Sequence, residues 1–145
     1  MAVWIGVVRT HTAVDRFGRL CLAPLGLNLT DFVVLENLLH AGPMTPSQLS
    51  ERVNLTRGSI TSAVDRLSAR DLVRREPNQG DGRSSLVKLT TSGSQVIETA
   101  WRNHSEEVGE VIDSALSPEE SAVLLRLLGK VRRAAKRESS QRFPD

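Results

Sequence analysis

Apolar side chains recur along this chain mostly at three- and four-residue steps, the spacing that places them on one face of an α-helix. The first such stretch covers residues 4–22 and ends before Pro24, and we predict a second helix that begins after an N-cap at Thr30 and ends at Gly42. The apolar positions are Trp4, Val7, Val8, His11, Val14 and Phe17 in the first helix and Phe32, Val33, Leu35, Leu38 and Leu39 in the second. The second set is nearly all aliphatic, which predicts that this helix lies in the core.

Two shorter helices joined by a tight turn are predicted next. Thr45 and Gln48 form a capping box with Pro46 at the first helical position, and Asn54 breaks this helix after about two turns. Thr56 caps the next helix, whose buried stripe is predicted to be Ile60, Ala63, Val64 and Leu67. Two short helices, the second with a polar and arginine-bearing outer face, are typical of a helix-turn-helix motif.

A β-hairpin follows the helix-turn-helix. Residues 72–76 and 84–89 are short and rich in side chains that suit strands. The seven residues between them, 77–83, contain Pro, Asn and two Gly, which predicts a loop long enough to project as a wing.

Two long helices close the chain. One apolar face continues over 91–116 and, after a second capping box that begins at Ser117, over 118–137, whereas residues 138–145 are polar and are predicted to fray. The predicted fold class is mainly α with a two-stranded β-wing, and residues 1–137 form a single domain.

The composition is that of an ordinary single-domain protein. The chain has 145 residues, of which 39% are hydrophobic and 25% charged, so collagen-like, disordered and membrane-spanning classes are disfavoured. No stretch reaches the roughly 18 to 20 uninterrupted apolar residues of a membrane span, and the start of the chain lacks the features of a signal peptide. We therefore expect a cytoplasmic protein.

The net charge of +2 hides three blocks of alternating sign. Residues 52–88 carry net +4, residues 98–120 carry net −6, and residues 126–142 carry net +6. The first positive block coincides with the helix-turn-helix and the wing, as phosphate neutralisation requires. Arginine-rich faces that contact only solvent are equally common. Charge alone therefore leaves open whether this block binds phosphate or is simply a solvated surface.

The second helix of the helix-turn-helix begins with side chains suited to contacting bases in the major groove of DNA. Short residues let the backbone approach the bases, and a few long donors reach base edges or phosphates. We predict that Arg57 contacts guanine and that Arg66 reaches phosphate. The full predicted DNA-binding set is Thr45, Ser47, Thr56, Arg57, Ser59, Thr61, Ser62, Arg66 and Arg83. Helix capping by the hydroxyls and surface pairing of the arginines are the structural alternatives.

The wing carries one arginine, Arg83, next to its glycines. A single guanidinium suits the negative potential of a narrow minor groove. Asp81 is predicted to orient Arg83 or to close the turn through its own backbone, and both roles are compatible.

The run from Leu49 to Gly93 resembles the winged helix-turn-helix core of the multiple-antibiotic-resistance regulator (MarR) family of bacterial transcription factors. The segments that carry the resemblance are Val64-Asp65-Arg66-Leu67, Leu72-Val73-Arg74-Arg75, Asp81-Gly82-Arg83 and Leu89-Thr90-Thr91-Ser92-Gly93. The resemblance places the winged lobe at about 28–90 and dimerisation helices at about 1–25 and 91–137.

The resemblance implies an obligate homodimer that binds a pseudo-palindromic operator in double-stranded DNA and acts as a ligand-responsive repressor. The residues support a dimer independently, because the two long helices carry more apolar surface than a small winged domain covers. The acidic block 98–120 and the basic block 126–142 could pair across the twofold interface.

The resemblance also implies a small anionic or phenolic effector, and His11, His40, Trp4 and Trp101 are candidates to line its pocket, although packing is the commoner role of such side chains. No cofactor is predicted, and three scattered His with one Cys disfavour a metal site. Some relatives sense peroxide through a cysteine near the start of the first helix with tyrosine partners. Cys21 lies near the end of that helix and the chain has no Tyr, so we expect a buried, inert thiol, with a thiol-based redox sensor as the alternative.

Two other classes of protein compete with a DNA-binding regulator. An enzyme is disfavoured because the chain has no glycine-rich phosphate loop after a strand, no HExxH and no paired cysteines. A winged-helix scaffold that binds protein in place of DNA is the alternative that would leave duplex binding independent of Arg57 and Arg83.

Overall fold

A computed structural model describes residues 1–78 and 84–142 of the chain. Within these residues the elements are six α-helices and one two-stranded antiparallel sheet, so the predicted fold class is confirmed. Their order is α1 (Ala2–Leu22), α2 (Leu29–Ala41), α3 (Pro46–Val53), α4 (Arg57–Ala69), β1 (Val73–Pro77), β2 (Ser85–Leu89), α5 (Thr91–Ala115) and α6 (Pro118–Arg142), with a short 3₁₀ turn at Ala23–Leu25.

The chain forms two compact units, Met1–Val108 and Gly109–Asp145. The first unit holds the hydrophobic core, to which α2, α3, α4, the hairpin and the start of α5 all contribute. Its largest fully buried side chains are Leu22, Leu35, Leu49, Ile60, Leu67, Ile97, Val34, Val64 and Val87. The core therefore lies directly behind the helix-turn-helix and fixes the position of its second helix.

Helix α2 begins earlier than predicted. Its N-cap is Asn28, whose side-chain oxygen accepts a hydrogen bond from the Asp31 backbone N–H at 2.9 Å, and Thr30 already lies within the first turn. The prediction of Thr30 as the cap is wrong, because Asn caps as well as Thr and Asn28 stands in extended backbone three residues before Asp31. Val34, absent from the predicted core stripe, is fully buried.

Helix α1 contributes little to the core of the first unit. Only Gly18 and Leu22 are buried on it. The side chains of its predicted apolar stripe are exposed from Trp4, which is 66% exposed, through Val14. The helical pattern was therefore predicted correctly, but most of this stripe is exposed and is not packed against the core of the first unit.

The hairpin is held to the rest of the first unit at both ends. Strand β1 pairs with β2 from Val73↔Leu89 to Pro77↔Ser85, and Met44 adds an isolated bridge to Val87. At the exit, the Thr90 hydroxyl donates to the Asp71 carbonyl at 2.6 Å and accepts from the Gly93 N–H at 2.9 Å, which caps α5.

The second unit contains the end of α5 and all of α6. The predicted second capping box is present, because the Ser117 N–H donates to Glu120 at 2.9 Å and the Ser117 hydroxyl accepts from the Glu120 N–H. Helix α6 runs on to Arg142, so it includes residues 138–142 of the segment that we predict to fray, and the fraying itself stays a prediction. An Arg142–Glu138 ion pair of 3.0 Å, one turn apart, supports this last turn. Residues 143–145 lie outside the described residues.

No residue of α6 is buried, and its aliphatic side chains from Val123 to Val131 are exposed. None of the described helices is by itself long and apolar enough to span a membrane. The bent pair Ala2–Leu25 and Leu29–Ala41, with an angle of 81° between its parts, reaches the required length and composition only together.

Candidate nucleic-acid interface

Local hydrogen bonds fix the turn between α3 and α4. Thr45 and Gln48 form the predicted capping box at the start of α3. Asn54 ends α3 in the left-handed region at φ 54°, a conformation that Asn tolerates better than most residues. Thr56 then caps α4 by accepting a hydrogen bond from the Ser59 N–H at 3.2 Å. The direction in which α4 leaves the turn is thus set by side chains within one short segment.

Helix α4 has one buried and one exposed face. The predicted stripe of Ile60, Ala63, Val64 and Leu67 is buried, as expected. The exposed face carries Arg57, Ser59, Thr61, Ser62, Asp65 and Arg66. This face is polar, and apart from Arg57 the side chains of its first two turns are short. The backbone of these turns is therefore accessible to a large binding partner.

Arg57 is the cation best placed to bind an external anion. It lies exposed in the first turn of α4 and has no hydrogen-bond or ion-pair partner among residues 1–78 and 84–142. Thr61 and Ser62 are exposed on the same face. Their hydroxyls likewise have no partner in the described part of the chain, so all three side chains keep their donors available.

The other predicted hydroxyls are partly engaged in capping. The Thr56 and Ser59 hydroxyls are 2.9 Å apart, and Thr56 also holds the Ser59 N–H. Thr45 is occupied by the Gln48 N–H at 3.2 Å, and both Thr45 and Ser47 are half-buried at the start of α3. A hydroxyl can both cap and donate, so Thr45 and Ser47 each keep a donor, whereas the Thr56–Ser59 pair uses one O–H between its two hydroxyls and keeps one.

Arg66 does not stand free on the surface. Its Nη2 donates to Asp31 Oδ1 at 2.6 Å, and its Nε lies 3.5 Å from Asp31 Oδ2. Asp31 is only 4% exposed, whereas the Arg66 side chain is 47% exposed. The hydrogen bond to Asp31 raises the pKa of Arg66 above its usual value. The contact of Arg66 with phosphate stays a prediction, and the structure adds a second role, that of tying α4 to α2.

Most other cations of the positive block have partners within the first unit. Arg75 pairs with Asp65 at 3.0 Å and Arg74 pairs with Glu76 at 2.8 Å. Arg70 donates to the Gly26 carbonyl at 2.7 Å, and so joins the end of α4 to the turn after α1. Counting charges along the sequence could not separate these cations from Arg57, because their partners lie 2 to 44 residues away. Asp81 and Arg83 of the predicted wing lie outside the described residues.

Thr30 belongs to the polar surface of α4, although sequence reasoning assigned it only to a helix cap. A shallow depression of about 460 Å³ is lined by Thr30, Thr56, Gly58, Ser59, Ser62 and Arg66. No sequence spacing could place Thr30 there, since it reaches the depression from another helix.

Cys21 is half-buried rather than buried, and its thiol donates to the Phe17 carbonyl at 3.3 Å. Burial, together with a smaller contribution from the neighbouring Glu107, raises the pKa of Cys21 to about 11. Because the thiolate is the reactive form, this environment favours an inert thiol over a sensor.

The candidate effector residues fall into two groups. The rings of His40 and Trp101 meet edge to face with centroids 4.9 Å apart. Phe32 lies parallel to Trp101 and tilted against His104, so these side chains pack between α2 and α5. Trp4 and His11 lie exposed on α1. Among the described residues no three His, Cys, Asp or Glu side chains are grouped closely enough to bind a metal ion.

A capped helix-turn-helix, followed by a two-stranded hairpin and carrying a polar, exposed second helix, defines a winged helix-turn-helix protein. Comparison with known proteins agrees with this class. Residues 25–84 match the model of the MarR family. The HTH-type transcriptional regulator MhqR of Bacillus subtilis is 35% identical over 106 residues, which cover 73% of this chain and 72% of MhqR.

Two further matches involve one relative. The multiple antibiotic resistance protein MarR of Escherichia coli is 33% identical over 117 residues, which cover 81% of each chain. The crystal structure of a MarR mutant from E. coli complexed with operator DNA superposes with a TM-score of 0.83 at 30% identity, covering 90% of this chain and 94% of that one. The chain therefore belongs to the MarR family of transcriptional regulators. Proteins of this family are regulators and not enzymes, which confirms that expectation.

Proposed function

We propose that this chain binds a pseudo-palindromic operator in double-stranded DNA as a homodimer, with α4 in the major groove and Arg83 of the wing in the minor groove. The observation that carries the proposal is the guanidinium of Arg57, which has no partner among residues 1–78 and 84–142 and lies at the exposed, polar start of a helix that the Thr56 cap and the core hold in place. A rigid helix that presents short side chains and one long donor fits the depth of the major groove. The complex of E. coli MarR with operator DNA supports the same use of the fold.

A homodimer is supported by apolar side chains that the chain leaves exposed. Val3, Trp4 and Ile5 on α1 and six aliphatic residues of α6 are open to solvent. Exposed apolar surface of this extent marks a protein interface, and a second copy covers it with a twofold axis. Within 109–142 the only ion pair is Arg142–Glu138, so the pairing of the acidic and basic blocks between subunits stays a prediction.

The finer regulatory assignment is part of the same proposal. We infer a cytoplasmic repressor whose DNA affinity falls when a small anionic or phenolic ligand binds. Repeating the DNA-binding assay with such ligands tests this, and an affinity that no ligand changes would contradict it.

Selection of bound sequences from random duplexes tests the proposal. We expect an enriched inverted repeat whose half-sites lie about one helical turn apart. Arg57→Ala should weaken binding to that sequence by about 1–3 kcal/mol and relax the preference at one base pair, since a bidentate contact to guanine has that value. Arg102→Ala, which removes an exposed arginine from α5, is the matched control and should leave the preference unchanged.

The variant Arg83→Ala tests the contribution of the wing to DNA binding independently of α4. We expect it to weaken binding to many sequences by a similar factor, because a minor-groove arginine reads groove shape more than base identity. If neither Arg57→Ala nor Arg83→Ala changes duplex binding, the protein-binding scaffold becomes the better interpretation.

A further inference from the structure

The shallow depression between the starts of α2 and α4 has no role in the base contacts proposed above. Its lining includes the Ser59 and Ser62 hydroxyls of α4, the hydroxyl of the N-cap Thr56, the Thr30 hydroxyl from α2 and the Arg66 guanidinium. The Thr30 hydroxyl has no hydrogen-bond partner within residues 1–78 and 84–142, and Thr30 is half-buried. The Thr30 and Ser62 hydroxyls and the Arg66 guanidinium can donate to this depression, as can one hydroxyl of the Thr56–Ser59 pair, and a surface rich in donors suits an anion.

The Arg66 guanidinium beside the depression is held in one orientation. Arg66 gives Nη2 and Nε to Asp31, which fixes the plane of the guanidinium. Its Nη1 group has no partner in the described residues. Asp31 lies behind Arg66 and is 4% exposed, so the carboxylate is shielded from the depression. An approaching anion therefore meets the free edge of an arginine whose rotamer is already fixed, which lowers the entropic cost of binding.

We propose that the depression binds one backbone phosphate of the DNA duplex in each half-site, with the Arg66 guanidinium and the Thr30 hydroxyl as its donors. This inference rests on the proposed function, since it requires α4 to lie in the major groove. A phosphate beside that groove would then contact both α2 and α4, and the two helices together would fix the register of α4 on the duplex. Thr30 is the new DNA contact that this inference adds.

Neutral methylphosphonate linkages, introduced one at a time and symmetrically in both half-sites of the selected duplex, test the proposal. For the wild-type protein we expect one position at which the substitution weakens binding about tenfold or more, as for loss of a charge-assisted hydrogen bond. With Arg66→Ala the same position should become insensitive, because the phosphate has lost its main partner. Thr30→Val should reduce the sensitivity at that position and at no other.

The salt dependence of binding gives a second readout that a structural role would not change. Loss of one phosphate contact per subunit should make the slope of log K against log salt shallower by about 1.8 for a dimer with Arg66→Ala. Thr12→Val is the matched control, because Thr12 is exposed on α1 and its hydroxyl bonds only to the Val8 carbonyl. It should leave the position-specific sensitivity intact.

The outcomes distinguish this inference from the proposed function. If the wild-type protein binds no duplex, the proposed function fails. If it binds tightly but no single phosphate position both becomes insensitive in Arg66→Ala and loses sensitivity in Thr30→Val, the inference is wrong and the function stands. Should Arg66→Ala fail to fold, Thr30→Val decides the question alone, because no contact within the described chain depends on its hydroxyl.

Discussion

The close approach of α5 to the segment before β1 gives the sharpest stability prediction. A Cβ added at Gly93 would lie 1.8 Å from the Leu72 carbonyl oxygen, whereas real Cβ atoms essentially never come within 3.0 Å of another heavy atom. The obstacle is backbone, and the same carbonyl accepts the Thr90 N–H at 3.1 Å. Gly93→Ala must therefore push the start of α5 away from Leu72 by more than 1 Å and strain that hydrogen bond.

The expected cost follows from these contacts. Overpacking costs about 1–3 kcal/mol and a weakened hydrogen bond about 0.5–1.5 kcal/mol, while alanine in a helix regains up to about 1 kcal/mol. We expect Gly93→Ala to lower the free energy of unfolding by about 1–4 kcal/mol, measured by urea denaturation with circular dichroism.

Gly109→Ala is the matched control on the same helix. A Cβ at Gly109 meets nothing within 4 Å, so this variant should be more stable than wild type by about 0.5–1 kcal/mol. Equal stabilisation by both substitutions would refute the reasoning, because it would mean that α5 does not lie against Leu72 as described.

Three further predictions concern the ionisable groups. The double-mutant cycle of Asp31→Ala and Arg66→Ala should give a coupling of about 1–2 kcal/mol in urea unfolding, below the value for a fully buried pair because Arg66 is half exposed, and additive effects would contradict the pairing. Burial raises the pKa of Glu36, so its ionisation costs stability as pH rises above about 4.5. The stability of Glu36→Gln relative to wild type should therefore increase from pH 4 to pH 7, and a decrease would reverse the assigned sign. Since the pKa of Cys21 is raised from 9.0 to about 11, its alkylation at pH 7 should be about 100-fold slower in the folded than in the urea-unfolded chain, and equal rates would favour a reactive thiol.

Local signals allowed much of the fold to be predicted from the sequence. The capping box at Thr45 and the cap at Thr56 depend on residues three apart, and both are confirmed. The cap of α2 was placed two residues late, because Asn28 and Thr30 are both good N-cap residues and propensity does not rank one above the other. Helix α6 continues beyond its apolar pattern to Arg142, where the exposed Arg142–Glu138 ion pair joins residues one turn apart.

The site could be predicted only in part, because its chemistry depends on partners distant in sequence. Arg57 and Arg66 both looked available for DNA, yet Arg66 pairs with a residue 35 positions away and Arg57 has no partner in the described part of the chain. Thr30 joins the α4 surface only through the packing of α2 on α4. Periodicity identifies the exposed face of a helix, but it does not reveal which neighbour meets that face.

The central claim is that a dimer of this chain docks α4 on duplex DNA through charge and groove contacts. The most direct measurement is titration of the selected duplex by fluorescence anisotropy at a series of salt concentrations, with the stoichiometry determined in the same samples. The account predicts two chains per duplex and a log K that falls linearly with log salt, with a slope of about −0.9 for each phosphate contacted. A salt-independent affinity, or saturation at one chain per duplex, would contradict it.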